Sequence, residues 1–331
     1  MRRSFHSLIF FFLAGCSLQL DSYAQPQTYP SSFTVAQNGT GNFKTIQEAI
    51  NAVRDLSQQQ VKIFIKNGIY HEKIIIPSWK TNISLIGENE DNTIIQYNDY
   101  AGKALPAKEY FLKTDTLRTF TSYTILITGN DCRVENITIV NNAGRVGQAV
   151  ALHTEGDRIK IKNCKLLANQ DTYYAARDGS RVYFKDCYIE GTTDFIFGEA
   201  TVVFKNCTIK NLINSYITAA STRPSRNFGF VFFDCKLIAD TVAGKVFLGR
   251  PWRPYAKTVY INTEMGSHIL KEGWENWRNP ENEKTAFYAE YKSYGAGANA
   301  GGRVKWSRQL SKSELKKYTL KNIFDGWDPE K

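Results

Sequence analysis

The chain has 331 residues, 42% of them hydrophobic and only 9 of them proline, which excludes a disordered chain and suits one large domain. Its 42 Lys and Arg against 32 Asp and Glu give a net charge of +10, which favours polyanionic partners: nucleic acid, anionic lipid or acidic polysaccharide. The basic residues are dispersed and no nucleic-acid-binding motif accompanies them, so no nucleic-acid partner is expected, and a solvated basic surface accounts for the charge equally well.

The first element is a leader. Arg2 and Arg3 precede an apolar run from Leu8 to Leu13 that is too short to span a bilayer as a helix. Two cleavage points compete. Leu13-Ala14-Gly15-Cys16 has the form of a bacterial lipobox, which makes residues 1–15 the leader and Cys16 a lipid anchor. Ser22-Tyr23-Ala24 before Gln25 has the small-x-small form of ordinary cleavage, which makes residues 1–24 the leader. The end of the apolar run favours the lipobox slightly. On either reading the protein is exported from a bacterial cell, to be periplasmic, secreted or lipid-anchored in the outer membrane.

Residues 25–331 then form one domain. Residues 25–42 read as an entry strand and turn. Phe43, Ile46, Ala49, Ile50 and Val53 have helical spacing, so Phe43 to Leu56 predicts a capping helix. From about Val61 to Met265 the chain repeats. Asn or Asp, then Ile or Cys, then any residue, then Leu or Ile occurs at Asn82-Ile83, Asn136-Ile137, Asn163-Cys164, Asp186-Cys187, Asn206-Cys207 and Asp234-Cys235. From Ile137 onward each step between copies is close to one coil of a parallel β-helix. The first step, Ile83 to Ile137, is twice the next, so a degenerate coil is expected inside it. Alternating strands such as Val182-Tyr183-Phe184-Lys185 precede most copies. The aromatic and Gly-rich stretch from Glu272 to Trp306 is expected to fold back over the coils. Ser311, with Glu314 three residues on, starts a closing helix that reaches Phe324. Cys164, Cys187, Cys207 and Cys235 share one inward position with Ile83 and Ile137, so they are read as packing residues rather than disulfides. No CxxC or Cys/His cluster offers a zinc site.

Chemistry is carried by a spacing. Gln148, Asp171 and Asp194 are separated by equal steps of 23, and Gln170 adjoins Asp171. A step of one coil stacks these groups on one face. A buried carboxylate pair does not ionise twice cheaply, so one member serves as an acid and the other as a nucleophile. Arg250 would hold the ionised carboxylate, and the glutamine amides would stabilise an oxyanion. The set suits acyl transfer at an ester. Taken singly, each of these residues reads as structural: Asp as a turn cap, Gln as a ladder amide, Arg250 as a surface ion pair. Their joint register carries the functional reading.

With Gly68-Ile69-Tyr70-His71-Glu72, QAVAL, QDTYY, DFIFG, LGRPW, Glu272-Gly273-Trp274 and GAGAN…RVKW in order, the chain resembles the pectin methylesterase (pectinesterase) family from about Phe33 to Trp306. The resemblance implies an all-β, right-handed parallel β-helix with a short N-terminal capping helix and a C-terminal helix and loop tail. It implies methyl-esterified homogalacturonan (pectin) as substrate, methanol and demethylated pectin as products, and no cofactor or metal. Carried over, Asp194 is the nucleophile, Asp171 the acid/base, and Gln148 and Gln170 the oxyanion site. Arg250 orients Asp194 and contacts substrate, as Gln148 also does, and Trp252 stacks on a sugar. Thr119, Tyr174 and Phe197 complete the substrate contacts, while Tyr70 and Glu72 are structural. Two departures are expected to alter the groove: Tyr173 stands for the family's Leu, and a longer Asp171–Asp194 step implies a modified turn from Ala175 to Ser180. A monomer is the default for a capped solenoid. The rivals are another β-helical pectin-active enzyme, a polygalacturonase or lyase, and a non-catalytic polysaccharide-binding relative.

Overall fold

A computed structural model describes residues 28–105 and 115–331. The leader and Cys16 lie outside the described residues. Among the described residues the strands form three sheets of eleven, eight and seven strands. Nearly every pairing joins strands one coil apart, and all pairings of named strands are parallel. The chain therefore winds as a parallel β-helix, visiting sheet 1, sheet 2 and sheet 3 once per coil. One such coil is Ile159–Lys162, Lys165–Leu167 and Tyr173–Ala175. The next is Arg181–Lys185, Tyr188–Gly191 and Ile196–Gly198.

The corner between sheets 1 and 2 explains the repeat. Asn136, Asn163, Asp186, Asn206 and Asp234 all have φ between 48° and 57°, the left-handed region that Asn and Asp tolerate best after Gly. The next residue then turns inward. Ile137, Cys164, Cys187, Cys207 and Cys235 are all at most 3% exposed, and the four cysteines are free thiols. Inside the coils, rings stack from turn to turn: Phe184 on Phe204 at 5.0 Å, Phe204 on Phe232 at 4.5 Å, Phe232 on Tyr260 at 4.4 Å.

The first repeat copy falls at a different corner. Ile83 pairs with Val61 at the start of sheet 1, in the place held later by Cys132 and Ile159. Thr93 occupies the position of Ile137. The double-length gap from Ile83 to Ile137 therefore holds no degenerate coil. It holds one coil, and between Thr93–Tyr97 and Ile125–Ile127 an excursion whose described residues are 98–105 and 115–124.

The ends differ from expectation too. The capping helix is only Ile46–Ala52, because Thr45 makes a capping box with Glu48 and sets its start. Phe43 precedes it, bridged to Val35 and edge-on to Phe33 at 5.4 Å. The Glu72 carboxylate accepts from Ile46 N and Gln47 N at 3.0 Å and fastens the helix to the first coil. Tyr70, 1% exposed, donates to the Lys66 carbonyl, so it too packs and braces.

At the other end the solenoid continues past Met265. Phe287–Tyr291 pairs with Lys257–Ile261, and Arg308–Gln309 pairs with it in turn. Asn262 and Lys292 keep the left-handed corner at φ 51° and 50°, with Thr263 and Ser293 where cysteine stood. The segment from Glu272 to Trp306 thus adds a coil instead of folding back. Beyond it the closing helix is two short helices, Lys312–Leu315 and Leu320–Ile323, because Thr319 starts a second one. They do not seal the end. With Leu310 and Phe324 they cover Tyr183, Val203, Val231 and Val259 on the outer face of sheet 1.

Candidate active site

The site lies on the outer face of sheet 3, where the loops from sheet 2 arrive. Each incoming loop turns through a left-handed aspartate: Asp171 at φ 68° and Asp194 at φ 50°. The backbone is pinned coil to coil. Asp171 N donates to Thr193 O at 3.2 Å and Asp194 N to Tyr216 O at 2.9 Å. Thr172, fully buried, donates to Glu190 O at 2.8 Å beneath the pair. Gln148 bridges Gln170, not Asp171, so the two glutamines sit level on neighbouring coils and the upstream coil runs in a slightly different register. The strand pairings agree: Leu152 pairs with Tyr173 and Tyr173 with Ile196, the earlier step being the shorter.

Arg250 arrives from Phe247–Pro251, next to Ala219 on the neighbouring strand. Gly249 before it packs against the Thr218 hydroxyl so closely that any Cβ would collide, which accounts for glycine there. The Arg250 guanidinium grips Asp194 with both arms: Nε to Oδ1 at 3.0 Å and Nη2 to Oδ2 at 2.7 Å. The rings of Tyr216 and Trp277 each lie 3.9 Å from the guanidinium.

A cavity of about 400 Å³ gathers the nine residues read from the sequence: Thr119, Gln148, Gln170, Asp171, Tyr174, Asp194, Phe197, Arg250 and Trp252. Tyr174 and Phe197 stack at 4.4 Å with rings 1° from parallel, and Phe197 meets Trp252 edge-on at 5.9 Å. Thr119 reaches the site on a single turn, Thr119–Thr121, within the excursion. Asn141 holds that excursion down. Its buried amide donates to Asp99 O, Ser122 O and Val150 O at 2.8, 2.9 and 3.0 Å. Sequence reasoning missed Phe120, Ala219 and Trp277, which also line the cavity. Trp277 comes from the aromatic stretch near the C-terminus, and its only signal was the recurrence of Trp there.

Tyr173 does not reach the groove. It is fully buried, edge-on to Phe184 at 4.8 Å, with its hydroxyl 3.0 Å from Thr154 Oγ1. Its replacement of Leu changes the core. The turn expected to be modified, residues 176–180, is as long as the equivalent connections at residues 128–132 and 252–256, and only residues 199–200 fill that place one coil later.

Both carboxylates are 7% exposed. Burial, with Asp194 beside it, holds the Asp171 carboxyl well above the usual carboxylate range, and Arg250 only partly offsets this. Burial also raises Asp194, but the hydrogen bonds and charge of Arg250 pull it back. Asp194 is therefore the more acidic of the two.

The family model described as Pectinesterase matches residues 32–327. "Pectinesterase 31" of Arabidopsis thaliana is 35% identical over 88% of this chain and 91% of its own. The structure of "Pectin methylesterase from Carrot" superposes with a TM-score of 0.81 at 32% identity, over 91% of this chain and 95% of that one. A pectin methylesterase solved in complex with a hexasaccharide superposes at 0.75 and 29% identity, over 92% and 99%. Fold and relatives together define a carboxylic ester hydrolase built on a parallel β-helix. The chain belongs to the pectinesterase family.

Proposed function

We propose that this pectinesterase cleaves the methyl esters of homogalacturonan through an acyl-enzyme on Asp194. The observation that carries the assignment is the division of labour between two buried carboxyls: Arg250 grips Asp194 bidentately, while Asp171, in the same cavity, has no such partner among the described residues. The Asp194 carboxylate attacks the ester carbonyl, and the Gln148 and Gln170 amides donate to the tetrahedral oxygen. Protonated Asp171 gives its proton to the departing methoxide, which leaves as methanol. Asp171, now ionised, takes a proton from water as that water attacks the acyl carbon. Asp194 departs as carboxylate, and the sugar acid is released. Tyr174, Phe197 and Trp252 offer sugar rings an apolar face, and Thr119 a polar contact.

Methanol release from highly methylated pectin, with and without chelator, tests the activity, alongside absorbance for unsaturated ends. Chelator-insensitive methanol without unsaturated ends is expected. D194A should lower kcat at least about a thousandfold while leaving the fold intact. Turnover retained in that variant would remove Asp194 from its role. The export reading is a separate proposal: no helix among the described residues is long and apolar enough to cross a membrane, and the leader precedes them. The mass of the mature N-terminus decides between a lipidated Cys16 and a start at Gln25. Sedimentation tests the expected monomer.

A further inference from the structure

Arg250 is held from behind by a segment the catalytic scheme does not use. Trp274 bridges Gly249, and Glu275 N donates to Gly249 O at 3.2 Å, so this segment rides on the strand that carries Arg250. The chain then makes a costly turn. Trp277 and Arg278 are consecutive non-glycine residues in the left-handed region, at φ 61° and 54°. The Glu275 carboxylate stabilises that turn by accepting from both backbone amides, Trp277 N at 2.9 Å and Arg278 N at 3.0 Å. Asn276 ties the turn outward, its Nδ2 donating to Glu283 Oε1 at 2.7 Å. The result is that the Trp277 indole, like the Tyr216 ring, packs 3.9 Å from the Arg250 guanidinium carbon.

We infer that Glu275 is a positioning residue of the reaction: by clamping the Trp277 turn it fixes the Arg250 guanidinium, and through it the attacking oxygen of Asp194. This rests on the reading of Asp194 as nucleophile. The charged and titratable groups around Asp194 and its arginine are Asp171 from the preceding coil, Arg250 from the strand two coils on, Tyr216 against that guanidinium, Glu275 itself, and Tyr288 below. Glu275 therefore acts in two opposing senses. As a nearby negative charge it makes Asp194 less acidic. As the anchor of the Arg250 clamp it makes Asp194 more acidic and better aimed. The inference is that the second effect wins.

The test is the pH profile of kcat and kcat/KM for wild type, E275A, E275D, W277A and the double variant E275A/W277A. E275A should lower kcat about tenfold with little change in KM, the loss expected of misalignment. The acid limb of kcat/KM should move to higher pH, and E275D should restore much of both. The double variant should be no worse than W277A, because both changes break one clamp. An acid limb that moves to lower pH with kcat unchanged would reduce Glu275 to a nearby charge and overturn the inference. So would losses in E275A and W277A that multiply. That cycle reads the clamp whatever the nucleophile is, whereas turnover by D194A would refute the nucleophile and leave the result of the cycle standing.

Discussion

Asp171 and Asp194 have two duties, chemical and conformational. A left-handed φ is tolerated by Asp and Asn and resisted by most other residues. Alanine at either position removes a carboxylate and strains a turn at once, so asparagine is the cleaner probe. D171N should abolish deacylation yet stabilise the protein. The sign follows from the direction of the shift. The folded Asp171 carboxyl is held well above its unfolded value, so it costs stability as pH rises past about 3.9, where the unfolded group ionises. The Tm of D171N should match wild type near pH 3 and exceed it increasingly toward neutrality; an equal Tm throughout would refute the burial argument. This site was largely legible in the sequence because Gln170-Asp171 and Asp194 sit one coil apart in short distinctive strings. Trp277 was not legible, because it sits one coil beyond Arg250 in a segment that keeps the coil but has lost the repeat's residue types.

The coil itself is specified at its corner. Four conditions meet there: a left-handed Asn or Asp, a small buried residue next, a strand on either side, and side-chain bonds up the stack. Asn206 Nδ2 donates to Asp186 Oδ1 at 2.6 Å, and Asn163 Nδ2 to Asn136 Oδ1 at 3.3 Å. Asn206→Val should destabilise by about 1–2 kcal/mol because a branched Cβ meets the carbonyl there. Asn206→Gly should cost much less, and denaturant midpoints compare the two. The same corner shows why the repeat was read correctly for five copies and misplaced for one. Asn82-Ile83 satisfies the pattern because it too is a left-handed residue before a buried one, at φ 57°. Local pattern does not distinguish one corner of a coil from another; only strand pairing does. The terminal coil escaped notice for the complementary reason, since Lys292-Ser293 keeps the geometry and loses the residue types.

At the scale of the whole molecule, the two devices of the C-terminal third are an internal plug and an external strap. Arg303 and Glu290, each with a side chain 3% exposed, pair at 2.6 Å inside the last coil. Arg303 also donates to the carbonyls of Leu270 and Gly297. R303A should destabilise by about 3–5 kcal/mol, because it leaves Glu290 buried and unpaired. The strap is the tail. Glu330 takes bonds from Lys185, Tyr183 and Lys205 on two adjacent coils, and Arg181 donates to Phe324 O at 2.7 Å. The hydrogen bonds of Lys185 and Tyr183 hold the Glu330 carboxyl down at about 2. Its contribution is therefore full above about 4.3, the unfolded value, and is lost as pH falls through about 2. E330Q should lower Tm at neutral pH, with the difference from wild type fading in acid. Neither device was legible in the sequence: the strap joins segments far apart in the chain, and nothing local marks Arg303 and Glu290 as a buried pair rather than two exposed charges.

The buried thiols have a use as reporters. Cys132, Cys164, Cys187, Cys207 and Cys235 sit in five successive coils, all buried and all free. Each of these five coils thus carries its own tag, silent to alkylating reagents until that coil opens. A simple stack would fray from its ends, and Cys132 and Cys235 would be modified before Cys187 in the middle. A stack belted across several consecutive turns should instead surrender its thiols together, and cutting the belt should restore the gradient.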